Sequence, residues 1–236
     1  VMNQNLSLTA GTLPLEFSNS TSFLNLSNFN LTYGSDGTTS SITYNGGAFR
    51  GTTNSSMTIE GDGSFGGGLV FDSNNDDLGN LTISRANSGL VTLNSSLNVA
   101  NNINIDEGTL ELSAADNLDG NLVLNGGSFS TGASTGNAET LNTLDVESNS
   151  SIDLGTSSHT LTFADSSSET WNGDLTIENW QGTAGSSGSA SDGNINFTSS
   201  TGLSTSQLNS ISFDGYPQQT VINGSGDILP EYELIP

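Results

Sequence analysis

The stretch GLVTLNSSLNVANNINIDEGTLEL, from Gly89 to Leu112, carries apolar residues in pairs, with one residue between the two members of each pair. Alternation with a period of two indicates β-strands that bury one face. Small polar residues, mostly Asn and Ser, separate one pair from the next. The pairs are Val91/Leu93, Leu97/Val99, Ile103/Ile105 and Leu110/Leu112.

The spacing of these pairs predicts successive sides of a coil. Leu110 follows Val91 by 19 residues, and two further pairs lie between them. A meander of antiparallel strands does not require such even spacing, whereas a period of about 19 to 25 residues is typical of repeat architectures. In a parallel β-solenoid, each pair points inward and the next coil stacks at about 4.8 Å. The sequence therefore predicts an all-β fold, a parallel β-solenoid with three-sided coils.

Similar pairs occur on both sides of this stretch, from Leu24/Leu26 to Ile211/Phe213. A β-sandwich also produces many short strands separated by turns, and it is the alternative fold. Helical periodicity is weak throughout, and only Ser204 to Ser210 is predicted to form a turn of helix.

The pattern divides the chain into three parts. Residues 1–22 are predicted to form an N-terminal strand segment or first coil, and residues 23–223 the solenoid. Residues 182–193 are rich in Gly and Ser, which indicates a loop inserted into a late coil. Residues 224–236 alternate apolar with acidic side chains after a Gly-Ser-Gly sequence, and they are predicted to form an extended C-terminal arm.

The charge of the chain is strongly one-sided. Asp and Glu number 25, the only basic residues are Arg50 and Arg85, and the formal net charge is −23. Such a surface repels phosphates and anionic lipids, so we expect no nucleic-acid partner. No apolar run approaches the ~20 residues of a membrane-spanning helix, so we expect no membrane insertion. The absence of cysteine excludes disulfides and thiolate chemistry.

Two parts of the sequence resemble a known class of proteins. GNLTISRANSGLVTLNSSLNV, NINIDEGTLEL and LVLNGGSF, between Gly79 and Phe129, resemble repeats of bacterial secreted β-solenoid surface proteins of the autotransporter-associated β-strand repeat type. LTFADSSSETWNGDLTIENW and GLSTSQLNSISFDGY, between His159 and Leu229, resemble the last module of such proteins, which often precedes a PEP-CTERM sorting tail.

This resemblance implies a right-handed parallel β-solenoid, secretion to the extracellular space or cell surface, and a role in a surface layer, adhesion or matrix. It supplies no catalytic residues. The chain is far shorter than the large adhesins of this class and ends at LPEYELIP with no anchor sequence, which favours a released or polymerised subunit.

The residues that could support catalysis are few. His159 is the only histidine, and no G-x-S-x-G nucleophile elbow accompanies it. A lyase acting on acidic sugars needs basic residues, and the chain has no lysine. A glycosidase needs two carboxylates, but its sugar cleft usually has aromatic platforms, and Trp171 and Trp180 are the only tryptophans. We therefore expect the protein not to be an enzyme, although a polysaccharide-degrading enzyme is retained as an alternative.

Oxygen-bearing side chains cluster in one short segment. Asp72, Asn74 and Asp76 occupy positions one, three and five of a calcium-loop pattern, and Asp77 follows. Position six is not Gly and position twelve is Ile83, so the loop is not an EF-hand. Glu60 and Asp62 precede it by about half a coil. These six residues are a candidate structural Ca²⁺ site, and a solvated acidic loop is the alternative.

The first and last coils of a solenoid leave unpaired backbone groups, on which further strands can be added. Both terminal segments of the chain are short and apolar, with no cap helix. We therefore predict a self-assembling subunit of an extracellular fibre or surface layer, in which copies stack head to tail and a terminal segment pairs with the neighbouring copy. The predicted subunit contacts are Leu6, Leu8, Leu13, Leu15, Ile228, Leu229, Tyr232, Leu234 and Ile235.

Other functions are compatible with the same sequence. The first is a monomeric adhesin fragment that binds carbohydrate or a cell surface. The second is an ice-binding protein, which requires a regular ladder of threonines. The outward positions of the opening stretch are mixed instead, with Thr92, Asn98, Asn104 and Glu111.

Overall fold

A computed structural model describes residues 1–8, 15–35, 41–113, 118–132, 137–186 and 193–231. The fold is all-β, with 51% of residues in strands and 2% in helix. Its parallel sheets stack as a β-solenoid of about 6 turns, which confirms the predicted fold class over the β-sandwich. Val1–Gly120 and Asn121–Pro236 form two compact units, which are described in turn.

The secondary structure consists of 23 short strands and one helix. In the first unit and at its boundary the strands are β1 (Leu6–Leu8), β2 (Leu15–Phe17), β3 (Phe23–Asn25), β4 (Asn30–Ser35), β5 (Ile42–Tyr44), β6 (Ala48–Arg50), β7 (Ser56–Asp62), β8 (Asp77–Leu78), β9 (Asn80–Ala86), β10 (Leu90–Leu93), β11 (Leu97–Glu107), β12 (Thr109–Leu112) and β13 (Leu118–Asn125). The remaining elements are β14 (Ser128–Ser130), β15 (Ala138–Leu141), β16 (Leu144–Ser148), β17 (Ser150–Asp153), β18 (Thr160–Phe163), β19 (Leu175–Glu178), β20 (Asn194–Asn196), α1 (Thr205–Asn209), β21 (Ile211–Phe213), β22 (Thr220–Ile222) and β23 (Ile228–Pro230).

Three strands form each of the first two coils. Strands β1, β2 and β3 pair in parallel with β4, β5 and β6. Each residue of β1 pairs with the residue 25 positions later, as Leu6 does with Leu31. The stack continues along one side from β4 to β7, β9 and β11. The three-sided coil is therefore present as predicted, with a repeat close to the predicted length.

Side-chain alternation explains why these segments form strands with one buried face. Leu31, Met57 and Leu81 lie in register on three successive strands, and none of them has any exposed surface. The polar residues between the apolar ones point outward. Because identical faces stack at each turn, the core is a column of aliphatic and aromatic side chains. Such a core suits a chain with few apolar residues.

The opening stretch forms three strands rather than four. Val91 and Leu93 of β10 pair with Leu110 and Leu112 of β12, which confirms the 19-residue repeat. The two middle pairs belong to a single strand, β11, whose beginning pairs with β8 and whose end pairs with β9. The corner predicted between these pairs is thus part of a continuous strand.

The second unit repeats the same arrangement. Here β13 pairs with β16, the sheet order β14-β17-β19-β21 follows another side, and β15-β18-β20 forms the third. Most register partners are 22 to 25 residues apart, as in the pairing of Phe129 with Ile152 and of Ile152 with Ile177. Leu161 and Ile195 pair across 34 residues, and residues 182–193 lie within this longer coil.

Helix α1 lies where the sequence predicts a helical turn. Ser204 is its N-cap, and Gln207 completes a capping box by bonding back to the Ser204 backbone. The Gln207 side chain is buried and its amide donates to the carbonyls of Ser166 and Glu169. The helix is therefore fixed to the preceding loop by a residue that also caps it.

The chain after residue 220 differs from the predicted extended arm. Strands β22 and β23 pair with each other in antiparallel fashion, and Asp227 forms an antiparallel bridge with Asn196 of the last coil. The Gly224-Ser-Gly sequence that suggested the start of an arm is instead the turn of a hairpin. Up to Glu231, the C-terminal segment therefore folds back on its own chain.

Candidate functional site

Most of the acidic residues predicted to bind calcium form hydrogen bonds with side chains of neighbouring coils. The Asp72 carboxylate accepts a hydrogen bond from Arg50 Nε at 2.6 Å, and the guanidinium of Arg50 lies 3.4 Å from the ring centre of Phe23. Asn74 Nδ2 donates to the other Asp72 oxygen at 3.4 Å. Burial by itself would raise the pKa of Asp72, but the hydrogen bonds from Arg50 and Asn74 hold it below its usual value. This carboxylate is the anionic half of an ion pair between adjacent coils.

The other acidic residues of the candidate site also bond to neighbouring coils. Ser96 donates to Asp76 at 2.6 Å, and Asn98 donates to Asp77 at 2.7 Å. Asp62 accepts from Asn87 at 2.8 Å. Throughout the ranges that the structure describes, no three acidic or histidine side chains converge in a way that could hold a metal ion. Glu60, Asp62, Asp72, Asp76 and Asp77 therefore form no such cluster, and Asn74 lies against Asp72.

Arg85 is fully buried, whereas an arginine is ordinarily exposed to solvent. Its guanidinium donates to the backbone carbonyls of Gly63, Glu60 and Asp62 at 2.7, 2.5 and 2.5 Å. The ring of Phe65 lies 5.6 Å away. Burial lowers the pKa of Arg85, and the nearby Asp62 carboxylate opposes that shift. The side chain thus satisfies three carbonyls where β7 ends and the chain turns away from the sheet.

His159 is also fully buried, in the corner before β18. Its Nδ1 accepts a hydrogen bond from the backbone N–H of Asn137 at 3.1 Å, so the neutral ring carries its proton on Nε2. Nε2 has no partner among the residues that the structure describes. Burial lowers the pKa of His159, and the carboxylate of Asp153 offsets this in part. The ring therefore acts as a neutral acceptor that joins successive coils.

This environment predicts that the protein loses stability in mild acid. Because the pKa of His159 is lower in the folded state than the ordinary 6.5, its contribution is fully present above pH 6.5. As the pH falls from there towards the folded pKa, the unfolded chain binds the proton more readily, so the free energy of unfolding decreases.

Urea denaturation of the wild type and of His159→Gln, between about pH 7 and about pH 5, measures this contribution. All other groups titrate in both proteins, so the difference between the two curves isolates the histidine. We expect a steeper loss in the wild type. Equal slopes would show that His159 is not the titrating group.

The edge of the first coil is partly covered in the ranges that the structure describes, because the backbone N–H of Met2, a residue only 8% exposed, donates to the carbonyl of Asn25 in β3 at 2.9 Å. Strands β1, β2 and β3 each pair with a strand of the second coil and with no strand before them. Leu6 and Leu8 are half-buried, whereas their register partners Leu31 and Tyr33 are buried. Leu15 is likewise half-buried, whereas its register partner Ile42 is buried. Half-buried apolar side chains therefore lie at β1 and β2, each of which has a described partner strand on one side only.

The edge of the last coil is covered by the chain itself. Ile228 and Leu229 are only 2% and 4% exposed, within the hairpin of β22 and β23. Thr220 Oγ1 donates to the carbonyl of Ile211 at 2.8 Å, and the N–H of Phe197 donates to Gly226 at 2.8 Å. Ile228 and Leu229, which the sequence predicts as subunit contacts, are instead buried within their own chain, where they cover this edge.

Asp227 attaches this hairpin to the last coil. Its Oδ1 accepts from the side-chain amides of Asn194 and Asn196 at 2.9 and 2.8 Å, and its Oδ2 accepts from Asn223 at 2.9 Å. Burial by itself would raise the pKa of this carboxylate, but the three amides hold it below its usual value. We refer to β22, β23 and Asp227 as the C-terminal cap. Leu13, Tyr232, Leu234 and Ile235, the other predicted contacts, lie outside the described residues.

The second unit also has a shallow polar groove of about 300 Å³. It runs across β14, β17 and β19, and its open shape leaves it accessible to solvent. Ser128 and Ser151 share a hydrogen bond of 2.7 Å at its floor. Its lining residues are Gly126, Gly127, Ser128, Asn149, Ser150, Ser151, Thr176 and Glu178.

Comparison with known proteins does not assign a family. No family model matches the chain, and neither a curated protein nor a solved structure matches it. Among the described residues, no helix has the length and apolar character needed to cross a membrane. The features that bear on function are the two terminal coils and the polar side chains that form hydrogen bonds between coils.

Proposed function

We propose that the protein is an extracellular structural protein that assembles with further copies of itself through the edge of its first coil. The observation that carries this proposal is the combination, in one coil, of half-buried leucines with two strands, β1 and β2, that have a described partner strand on one side only. Unpaired strand edges are templates for added strands, and proteins that are not meant to associate usually cover or charge them. The hairpin of β22 and β23 covers the last coil, whereas in the first coil Met2 covers only part of β3.

The use of the few reactive side chains also supports a structural role. Arg85 holds three backbone carbonyls, Arg50 bridges two coils through Asp72, and His159 accepts a backbone hydrogen bond. Each of these side chains connects one coil to the next. This distribution favours a protein whose polar groups stabilise a scaffold, and we expect no enzymatic activity.

The extracellular location is supported by composition and by resemblance. The chain has no cysteine and a formal net charge of −23, and its repeats resemble those of secreted bacterial surface proteins. A strongly acidic surface keeps the protein soluble and weakens contact between copies until salt or cations screen it. Assembly is therefore expected to depend on ionic strength.

Sedimentation velocity over a concentration series tests this proposal. We expect larger species to appear as the concentration rises, and to form more readily in ~1 M than in ~0.01 M salt, because the Debye length falls from about 30 to about 3 Å. Negative-stain imaging of the same samples shows whether the larger species are ordered. A monomer at every concentration and salt would contradict self-assembly.

A carbohydrate-binding adhesin is the second candidate function, and the polar groove across β14, β17 and β19 is the observation that favours it. Its serine, threonine and glutamate side chains offer hydrogen bonds to sugar hydroxyls. Binding to a glycan array by protein that remains monomeric would favour this function over assembly.

A further inference from the structure

We propose that Asn45 is a site of spontaneous deamidation, and that the fold protects the three other Asn-Gly sequences of the chain from the same reaction. The four sequences begin at Asn45, Asn125, Asn172 and Asn223. Asparagine is among the thermolabile residues, and a glycine after it has no side chain to hinder the backbone. Because the four sequences are alike at the reacting bond, their hydrogen bonds in the fold decide which of them reacts.

Deamidation is an attack of the backbone on the side chain of the preceding residue. The backbone nitrogen of the glycine gives its proton to solvent and forms a bond to Cγ of the asparagine. The bond from Cγ to the side-chain nitrogen breaks, ammonia leaves with a proton from solvent, and a succinimide ring remains. Water then adds to either carbonyl of the ring and opens it to aspartate or isoaspartate. The glycine N–H must therefore be free, and the asparagine amide must be able to turn towards it.

The corner between β5 and β6 meets both requirements. Asn45 and Gly46 are exposed, and the N–H of Gly46 donates to no residue that the structure describes. Within the described ranges, the Asn45 side chain makes a single hydrogen bond, from Nδ2 to a carboxylate oxygen of the exposed Glu16 at 3.3 Å. A hydrogen bond of this length between exposed side chains is weak, so the amide can turn towards Gly46.

Two of the other sequences are protected at the glycine nitrogen. The N–H of Gly126 donates to Ser150 Oγ at 3.0 Å, and the N–H of Gly173 donates to the carbonyl of Val146 at 3.1 Å. Gly173 is also buried. Neither nitrogen can attack until its hydrogen bond opens, so both sequences are expected to react slowly.

Asn223 is protected through its side chain instead. Its Oδ1 accepts from the backbone N–H groups of Ser225 and Asp227 at 2.8 and 3.0 Å, and its Nδ2 donates to Asp227 Oδ2 at 2.9 Å. These three hydrogen bonds fix the amide within the C-terminal cap. Turning it towards the nitrogen of Gly224 would break them, so this sequence is also expected to react slowly.

Deamidation of Asn45 changes a contact between two coils. The donor to Glu16 is replaced by a second carboxylate, so an attractive contact becomes a repulsion between like charges. Isoaspartate also lengthens the backbone of the corner by a carbon atom. Gly47 follows in the same corner and is buried so closely against Ser22 and Phe17 that it has no space for a Cβ atom. The modified corner is therefore held less tightly than the original.

Incubation of the full chain in mildly alkaline buffer tests this assignment. The only basic residues are Arg50 and Arg85, so tryptic cleavage after unfolding yields residues 1–50, whose only Asn-Gly sequence is at Asn45, and residues 86–236, which contain the other three. Mass spectrometry of the fragments gives the rate at each site. In the folded protein we expect Asn45 to react about tenfold faster than each of the others, which corresponds to ~1.4 kcal/mol of activation free energy.

The same incubation in concentrated urea separates the effect of the fold from that of the sequence. We expect the four sites to react at similar rates once their hydrogen bonds are lost, with the largest gains at Asn125, Asn172 and Asn223. Equal rates at the four sites in the folded protein, or an unchanged order of rates in urea, would overturn the inference.

Two variants identify the reacting residue. Asn45→Gln would have to close a larger ring, so we expect the modification of residues 1–50 to disappear. Asn19→Gln changes another exposed asparagine of the same fragment, one that precedes Ser20, and it is the matched control with no expected change. Urea midpoints report whether both variants remain folded. Modification of folded Asn45→Gln at the rate of the wild type would overturn the assignment.

Discussion

Replacing Arg85 with methionine is expected to lower the free energy of unfolding by about 3–5 kcal/mol. Methionine fills much of the same space but leaves the carbonyls of Gly63, Glu60 and Asp62 without their donor. Arg85 itself has no exposed surface, and Glu60, Asp62 and Gly63 are half-buried. A buried acceptor without a partner costs about 1–3 kcal/mol. This is a large part of the total stability of a typical domain, which is about 5–15 kcal/mol.

Urea denaturation followed by far-UV circular dichroism measures this effect, because both tryptophans lie in the second unit and Arg85 lies in the first. Arg85→Lys keeps the charge but cannot reach three carbonyls in a fixed geometry, so we expect a partial loss. Arg50→Met is the control at the other arginine, whose side chain is 32% exposed, and its effect should be smaller. Equal effects of the two methionine variants would contradict the role assigned to Arg85.

The repeat and the coil are the parts of the fold that the sequence predicts well, because they follow from local alternation. Val91 and Leu110 are in register as their spacing requires, and the helical turn at Ser204 is visible in its capping pattern. Such features depend on neighbouring residues and on a fixed period, both of which can be read along the chain.

The position of Arg85 is different, because burial of an arginine depends on contacts with another coil. An arginine in an alternating strand is ordinarily assigned to solvent, even though its position in β9 continues the inward series of Leu81 and Ile83. The alternation along β9 therefore predicts that Arg85 points inward, whereas the usual preference of arginine for solvent predicts that it points outward. Its binding partner is visible only in the structure, where Nε donates to the carbonyl of Gly63.

The partners of the acidic segment depend on the coil rather than on closeness in sequence. In a solenoid, the neighbours of a corner residue lie one coil away, so Asp72 meets Arg50 and Asp76 meets Ser96. The C-terminal hairpin was also readable in principle, since two short apolar runs flank a glycine-containing turn of five residues. The alternation of acidic and apolar residues after Pro230 instead favours the prediction of an extended C-terminal arm.

Deletion of residues 217–236 is expected to convert limited association into open-ended polymerisation. The shortened chain loses β22, β23 and Asp227, and so it exposes the edges of β20 and β21 with the apolar side chains beneath them. Ile195, Phe197 and Phe213, which are at most 3% exposed in the full chain, then line a second uncovered edge. A chain with two unlike open edges can add copies from first coil to last coil, and contacts of that kind need not close.

Sedimentation and negative-stain imaging measure this change, and deletion of residues 232–236 alone is the control. That shorter deletion retains the hairpin and removes only the predicted contacts Tyr232, Leu234 and Ile235, so it separates their contribution to association from that of the hairpin. Asp227→Asn provides a milder test, because an amide has one acceptor oxygen where the carboxylate has two, so its NH2 must face either the Asn223 amide or those of Asn194 and Asn196. This variant should shift the balance towards polymer without removing any strand.

The two outcomes separate ordered growth from simple misfolding. Polymers built by coil stacking should retain the strand signal in far-UV circular dichroism, and excess full-length chains should stop their growth, because each offers one usable edge. Amorphous aggregates would not respond to full-length protein in this way. A shortened chain that remains folded and sediments like the full chain would show that the cap does not limit assembly. If growth is blocked as expected, the C-terminal cap determines how far the protein assembles.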